Sequence, residues 1–130
     1  MPFRHPVRVQ FFEVDLQGVV FNMWYLAWFD TAMSTFMATL GFPYGDTYRD
    51  GWDVQLVHTE LDWRGGAQFG DEVIVEVETA RVGTTSFTLA YRVLRGDELL
   101  VTAETVYVVV GIDGSGKRPV PDDFRAALAA

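Results

Sequence analysis

One long apolar segment constrains the fold of this chain more than any other feature of its sequence. Between residues 23 and 40 the only charged residue is Asp30, and apolar side chains occupy nearly every face of a helix with 3.6 residues per turn. A helix that is apolar on all sides must be buried on all sides. This one is too short, and too often interrupted by polar residues, to span a membrane. The rest of the chain is therefore predicted to wrap around it.

The start of this predicted helix is a candidate site for chemistry. Asn22 is predicted to cap the helix, and Gly18 permits a close approach of the backbone. Free amide N–H groups at a helix start favour negative charge, and Asp15 lies just upstream. On these grounds two interpretations of Asp15 stay open: a solvated or capping loop carboxylate, or a carboxylate that takes part in catalysis.

The composition of the chain argues against several classes of function. A chain of 130 residues, 49% of them hydrophobic, is expected to form one domain, residues 1–130, with a substantial core. Its formal net charge of −8 argues against binding to nucleic acid or to an anionic membrane surface. Cysteine is absent, which excludes disulfides and thiolate catalysis. Because the first residues have no signal-peptide pattern, a cytoplasmic location is expected.

Most of the remaining sequence is predicted to form strands. The five predicted strands cover residues 7–12, 52–64, 72–82, 86–94 and 99–110. Residues 42–51 are predicted to form a loop after Gly41, which should end the helix, and residues 121–129 a short surface helix. Consecutive strands joined by tight turns form an antiparallel sheet. The predicted fold class is therefore α+β, with a curved antiparallel sheet of about five strands around one long buried helix.

The stretch from Phe11 to Asp30 resembles the opening signature of one enzyme family. It contains Phe11-x-Glu13-x-Asp15-x-x-Gly18-Val19-Val20-x-Asn22-x-x-Tyr25-Leu26-x-Trp28-Phe29-Asp30. This is similar to the hotdog-fold acyl-CoA thioesterases of the 4-hydroxybenzoyl-CoA thioesterase type. The resemblance implies the hotdog fold and hydrolysis of an acyl-CoA with Asp15 as general base or nucleophile. It also implies a homodimer or homotetramer with the site at the subunit interface, which agrees with the exposed edges of a single curved sheet.

The resemblance also implies roles for further residues. The amides of Gly18, Val19, Val20 and Asn22 are expected to bind the thioester oxygen. The expected substrate-binding residues are Phe21, Tyr25, Thr59, Arg81, Ser86 and Arg118. No metal or redox cofactor is implied, and coenzyme A enters only as part of a substrate with a small, medium-chain or aromatic acyl group.

Coenzyme A is an anion, so an acidic chain needs local bases to bind it. The basic candidates are Arg64, Arg81, Lys117 and Arg118. The turn at residues 83–86 offers hydroxyls and amides but no charge. Three possibilities follow: the phosphates lie in solvent, Arg81 and Arg118 bind them, or the acyl carrier is not free coenzyme A.

Other polar residues compete with Asp15 for a role in catalysis. Asp30 is expected to be buried and structural, and Glu13 is expected to point away from the face of Asp15. Glu60 and Asp62 are expected on a solvated strand face beside His58. Strict alternation along this strand places Leu56 and His58 on one face.

The two histidines, His5 and His58, offer little chemistry. They are too far apart in sequence for a metal site, and no nucleophile-elbow pattern accompanies them. His58 is expected to lie in the core or at an interface. Two alternatives to a thioesterase stay open: a non-catalytic acyl-CoA-binding hotdog module, and a hotdog hydratase or dehydratase, which would need a histidine paired with an acid.

Overall fold

The computed structural model describes residues 1–130. In chain order its elements are β1 (Phe3–Arg8), a 3-10 turn (Phe11–Glu13), α1 (Trp24–Thr39), α2 (Tyr44–Arg49), β2 (Trp52–Trp63), β3 (Glu72–Val82), β4 (Ser86–Arg95), β5 (Glu98–Gly111) and α3 (Asp122–Ala129). The five strands form one sheet in the order β1-β3-β4-β5-β2, and every neighbouring pair is antiparallel. The predicted α+β class and the five-stranded antiparallel sheet are confirmed.

The first strand lies earlier in the chain than the sequence predicts. β1 ends at Arg8, and Phe11 and Phe12 belong to the 3-10 turn. Two bonds between Gln10 and Glu13 hold this turn. The side chain of Glu13 accepts the N–H of Gln10 at 2.8 Å, and the N–H of Glu13 donates to the carbonyl of Gln10 at 3.1 Å. The prediction of a strand over residues 7–12 was therefore wrong beyond Arg8.

Two other segments differ from the prediction in detail. Residues 42–51, predicted to be a loop, contain the short helix α2, which begins after Pro43. The predicted helix at 121–129 is present as α3, but it is more than a surface element. Phe124 and Leu128 of α3 are both buried in the core.

The long helix α1 is buried on one side only. Its buried residues are Tyr25, Trp28, Phe29, Ala32 and Met37. The opposite side exposes small and polar residues, namely Ala27, Asp30, Thr31, Ser34 and Ala38. A five-stranded sheet can cover only one face of a helix, so the prediction of burial on all sides was wrong for the single chain. The prediction that Asp30 is buried was wrong for the same reason.

No helix is both long enough and apolar enough to cross a membrane.

The two ends of α1 differ in how well the sequence identifies them. Gly41, with a φ of 96°, terminates the helix as predicted. Asn22 does not cap it: the N-cap is Met23, and no side chain bonds to the helix start. The backbone takes over this role, because the N–H of Trp24 donates to the carbonyl of Phe21 at 2.9 Å.

A β-bulge in β2 changes which side chains share a face. The pairing with β5 shifts between Leu56 and His58, so Val57 has no partner of its own. Leu56 lies opposite Tyr107 and His58 opposite Val106, which are successive residues of β5. Leu56 and His58 therefore lie on opposite faces, and strict alternation was wrong here. His58 is exposed, not in the core.

Candidate active site

A tight hairpin carries Asp15 immediately before α1. The N–H of Asp15 donates to the carbonyl of Val19 at 2.9 Å, and the N–H of Gly18 donates to the carbonyl of Asp15 at 3.0 Å. Gly18 has a φ of 80°, the left-handed conformation that closes a three-residue hairpin loop. Oδ1 of Asp15 accepts the N–H of Gln17 at 2.8 Å, as is typical of Asp at the first position of a turn.

The other carboxylate oxygen of Asp15 is unoccupied. Oδ2 makes no hydrogen bond within the chain, and the residue is half-buried. One oxygen therefore holds the turn while the second remains open to a ligand or a water molecule. The two interpretations of Asp15 are therefore compatible. As a turn carboxylate Asp15 needs only Oδ1, and as a catalytic carboxylate it would use Oδ2.

Only some of the predicted oxyanion donors have a free N–H. The Gly18 amide is used inside the hairpin, and the Val20 amide donates to the carbonyl of Ala67 at 2.8 Å. The amides of Val19 and Asn22 donate to no acceptor in the chain. The four predicted amides therefore reduce to two candidate donors for a thioester oxygen.

A cleft of about 290 Å³ lies at this end of α1. It combines residues predicted from the sequence with the segment that follows β2. Its lining is Val19, Val20, Asn22, Tyr25, Trp63, Arg64, Gly65 and Gly66. Both unpartnered amides therefore belong to a concave surface, which is the setting expected for a small-molecule site.

Tyr25 connects α1 to the far wall of this cleft. Its ring is buried, and its hydroxyl oxygen accepts the N–H of Ala67 at 3.1 Å. Burial raises the pKa of Tyr25, so the hydroxyl keeps its proton at neutral pH. That proton has no acceptor within the chain. Tyr25 therefore positions the residue 65–67 segment and leaves one further hydrogen-bond donor at the cleft.

Glu13 anchors the hairpin to α1, a role that the sequence interpretation missed. Its carboxylate is buried, and Oε2 accepts the indole N–H of Trp28 at 2.8 Å. The peptide carbonyl of Glu13 accepts the N–H of Phe21 at 2.9 Å. The sequence could have indicated this role, because Glu13 and Trp28 occur in the same motif. The polar atoms of both side chains need hydrogen-bond partners once they are buried.

The predicted substrate-binding residues fall into separate groups. Phe21 is exposed at the start of α1, beside the cleft. Thr59 lies in the middle of β2, where its hydroxyl is 2.8 Å from that of Thr105. Tyr25 lines the cleft, as described above. Of these three residues only Tyr25 lines the cleft.

The other three predicted contacts lie at the opposite end of the sheet. Arg118 donates to the carbonyl of Gly51 at 3.1 Å, next to the first residue of β2. Ser86 begins β4, and Arg81 lines a larger, mainly apolar cavity of about 620 Å³ beside the end of α1. Because Trp63, at the cleft, is the last residue of β2, one chain alone does not bring these residues to Asp15.

No cluster of side chains is arranged to hold a metal ion. His58 lies on the outer face of β2 and contacts Glu60, with 3.1 Å between Nε2 and Oε1. His5 lies on β1, at the other edge of the sheet. Neither histidine lines the cleft, and Asp15 does not line it either. Asp15 is connected to the cleft through its N–H, which donates to the carbonyl of Val19, a lining residue.

Comparison with known proteins adds independent observations. Residues 9–128 match the thioesterase-like superfamily. The chain is 29% identical over 129 residues to the acyl-CoA thioesterase YbgC of Haemophilus influenzae, covering 97% of this chain and 93% of that protein. It is 25% identical over 119 residues to the 1,4-dihydroxy-2-naphthoyl-CoA hydrolase of Synechococcus elongatus, covering 90% and 88%. The crystal structure of a hypothetical protein from Aquifex aeolicus matches with a TM-score of 0.92 at 27% identity, covering 98% of this chain and 99% of that chain.

Proposed function

Because this chain belongs to the thioesterase-like superfamily, we propose that it hydrolyses an acyl-CoA with Asp15 as the essential carboxylate. The hotdog fold predicted from the sequence is the fold of its relatives, and the chain is a thioester hydrolase. The narrower assignment to the 4-hydroxybenzoyl-CoA type stays a prediction. The observation that carries the proposal is the free Oδ2 of Asp15 on a hairpin whose partner residue, Val19, lines a cleft with unpartnered amides.

The proposed reaction needs a polarised carbonyl and an activated attacking group. In this proposal the N–H groups of Val19 and Asn22 stabilise the negative charge that develops on the thioester oxygen. Asp15 either removes a proton from water, which then attacks the carbonyl carbon, or attacks that carbon itself and forms a mixed anhydride that water hydrolyses. In both routes the C–S bond breaks, coenzyme A leaves as the thiol and the acyl group leaves as a carboxylic acid.

We propose that the working enzyme is at least a dimer that pairs through β2. This strand is an edge of the sheet, and the side chains of Leu56, Val57 and Trp63 on it are 51%, 55% and 50% exposed. Exposed edges and apolar patches favour pairing. A two-fold antiparallel pair would place the start of the second copy's β2 beside the end of this one. The group around Arg118 would then approach the cleft of the other subunit.

The acyl group is proposed to be small, medium-chain or aromatic. Aromatic side chains supply much of the apolar surface around the cleft: Tyr25 and Trp63 line it, and Phe21 lies exposed beside it. Such side chains bind flat or apolar acyl groups through their large contact area. The cytoplasmic location and the lack of a cofactor, of nucleic acid and of a membrane partner stay predictions.

The proposal is tested by release of free thiol from acetyl-, hexanoyl-, benzoyl- and 4-hydroxybenzoyl-CoA. The parent is expected to hydrolyse at least one of them, and Asp15→Ala is expected to lose about 10²- to 10⁴-fold in kcat, the usual contribution of a positioned general base. Circular dichroism and thermal unfolding check that the variant is folded. A folded Asp15→Ala with parental turnover would reject the assignment of Asp15.

The alternatives give different outcomes in the same assay. Binding of acyl-CoA without turnover across the panel would favour a non-catalytic module. Addition of water to crotonyl-CoA with its thioester intact would favour a hydratase. His58 does contact an acid, Glu60, as a hydratase would need. However, the pair lies on the outer face of β2 and His58 does not line the cleft, which favours the thioesterase over the hydratase.

A further inference from the structure

One basic side chain at the cleft has no partner. The charged groups of seven of the ten basic residues bond to carboxylates or carbonyls; these residues are Arg4, Arg8, Arg49, Arg92, Arg95, Arg118 and Arg125. The other three are Arg64, Arg81 and Lys117. Among these three only Arg64 lines the cleft, together with Val19 and Asn22.

The backbone beneath Arg64 is fixed although its side chain is free. The N–H groups of Arg64 and Gly65 both donate to the carbonyl of Leu100, at 2.8 and 3.0 Å. The carbonyl of Gly66 accepts a bond from Arg95 at 3.3 Å. The guanidinium itself is exposed and makes no hydrogen bond within the chain. A ligand that binds it therefore needs to order one side chain but no loop, which lowers the entropic cost of binding.

Several hydrogen-bond donors of the residues that line the cleft have no acceptor within the chain. They are the N–H groups of Val19 and Asn22, the hydroxyl of Tyr25 and the guanidinium of Arg64. A guanidinium is planar and always charged, and it matches carboxylate and phosphate oxygens with two parallel bonds. A chain with a net charge of −8 repels anions at long range. A local cation is therefore needed wherever this chain binds an anionic group.

We infer that Arg64 binds an anionic oxygen group of the thioester substrate and so determines specificity. This inference rests on the proposed function. Two parts of a substrate can supply the group: a phosphate of coenzyme A, or a carboxylate on the acyl part. Both offer the guanidinium the same oxygen geometry, and thioesters that carry one group or the other distinguish them.

The test uses Arg64→Ala and Arg64→Lys with three thioesters. Benzoyl-CoA carries phosphates, 4-carboxybenzoyl-pantetheine carries an acyl carboxylate, and benzoyl-pantetheine carries neither. Arg8→Ala is the matched control: it removes an exposed arginine from β1, at the opposite edge of the sheet, where its only ionic contact is with the exposed Glu72. Values of KM and kcat are measured for every pair of enzyme and thioester.

We expect Arg64→Ala to raise KM about tenfold or more for one of the two anionic thioesters, as for the loss of a charge-assisted hydrogen bond, with kcat nearly unchanged. Arg64→Lys should recover part of the loss because it keeps the charge but not the paired geometry. An increase in KM for benzoyl-CoA alone identifies the group bound by Arg64 as a phosphate. An increase in KM for 4-carboxybenzoyl-pantetheine alone identifies it as an acyl carboxylate. Equal losses on all three thioesters, or no difference from Arg8→Ala, would overturn the inference.

A binding measurement keeps this inference separate from the proposed function. Calorimetric titration with the thioether analogues of the three compounds repeats the comparison without turnover. A parent that hydrolyses none of the thioesters contradicts the proposed function, whereas the calorimetric difference between Arg64→Ala and Arg8→Ala still decides whether Arg64 binds the anionic group. A parent that turns over, with Arg64→Ala binding every analogue as the parent does, contradicts this inference alone.

Discussion

At the scale of single residues, the Asp15 carboxylate combines a structural role in its turn with the catalytic role proposed for it. Oδ1 of Asp15 holds the turn through Gln17 while Oδ2 stays free. Glu13, two residues earlier, is buried and bonds to Trp28, so the hairpin is attached to α1 by a carboxylate that is itself unavailable to substrate. The position of Asp15 therefore depends on contacts that the catalytic group does not make.

Two glycines near Asp15 should respond differently to alanine. At Gly18 an added Cβ would meet nothing within 4 Å, but the φ of 80° disfavours alanine, so Gly18→Ala should cost about 1 kcal/mol of stability. At Gly66 the Cβ would lie 2.8 Å from Cγ1 of Val19. Gly66→Ala should cost about 1–3 kcal/mol, as overpacking does, and should also displace the Val19 amide and lower kcat.

Urea unfolding and thiol-release kinetics on the two glycine variants check this expectation. The strain at Gly18 leaves the cleft wall in place, so its kcat should fall less than that of Gly66→Ala. A Gly66→Ala enzyme with parental kcat would show that the close contact with Val19 does not position the donor.

At the scale of elements, strands β4 and β5 carry a buried pair of tyrosine hydroxyls that the sequence pattern does not predict. The hydroxyls of Tyr91 and Tyr107 bond to each other over the inner face of the sheet, and the ring of Phe29 on α1 stacks on Tyr91 with 4.6 Å between centroids. Burial raises the pKa of both tyrosines, that of Tyr107 to about 12. These strands therefore bury polar atoms together with apolar surface. The hydrogen bond between the two hydroxyls offsets the cost of removing them from water.

This pair predicts a loss of stability at alkaline pH. An unfolded tyrosine loses its proton near pH 10, whereas folded Tyr91 and Tyr107 hold theirs at higher pH. The unfolded state then binds fewer protons, so the free energy of unfolding falls as pH rises from about 10 to about 12, by about 1.4 kcal/mol per pH unit for each such tyrosine. The stabilisation is fully present below pH 10.

Urea unfolding of the parent and of Tyr91→Phe/Tyr107→Phe across this range measures the effect. The double variant removes both hydroxyls, so its stability at neutral pH should change little, and its decline above about pH 10 should be shallower. An identical pH profile for parent and variant would contradict the assignment to this pair.

The whole molecule has two unequal sheet edges. β1 forms one edge, and β2, with its bulge and exposed apolar residues, forms the other. The residues predicted to bind substrate are divided between the two ends of β2, near Trp63 and near Gly51. A two-fold antiparallel arrangement through β2 is the simplest way to bring these groups together.

A charge placed on β2 should therefore separate the subunits and reduce activity. Val57→Asp puts a carboxylate on the proposed interface, and Ala80→Asp puts the same charge on an exposed position of β3 as a control. Light scattering with size-exclusion chromatography should show a dimer or larger for the parent and the control, and a shift to monomer for Val57→Asp with a large loss of thiol release. A monomeric parent with full activity would contradict the proposed assembly.

The sequence determined strands β2 to β5 and the helix-ending glycine well because those signals are local. The turns at residues 83–85 and 96–97 and the left-handed Gly41 set the boundaries of β3, β4 and α1 closely. The bulge at Val57 and the 3-10 turn at Phe11 were missed, since each depends on contacts with distant residues or on one side-chain bond.

For the candidate site, sequence similarity identified more than periodicity did. The motif gave Asp15, Val19 and Asn22, and the structure brings the last two to one cleft. It could not show that the amides of Gly18 and Val20 are already bonded, because the acceptor for Val20 is Ala67, far along the chain. The motif also could not distinguish Arg64 from the other basic residues. That distinction depends on which basic side chains bond to other groups in the folded chain.

Single-turnover hydrolysis by Asp15→Asn, with whichever panel thioester the parent uses, decides whether Asp15 is the essential carboxylate. An asparagine keeps the side-chain oxygen that Gln17 needs but has no carboxylate to act as base or nucleophile. Glu72→Gln is the control: it also exchanges one carboxylate for an amide, but on β3 beside the β1 edge, where Glu72 is exposed and its ionic contact is with the exposed Arg8. The expected result is parental stability for both variants, parental turnover for Glu72→Gln and a loss of about 10²-fold or more for Asp15→Asn. Parental turnover in both variants would contradict it.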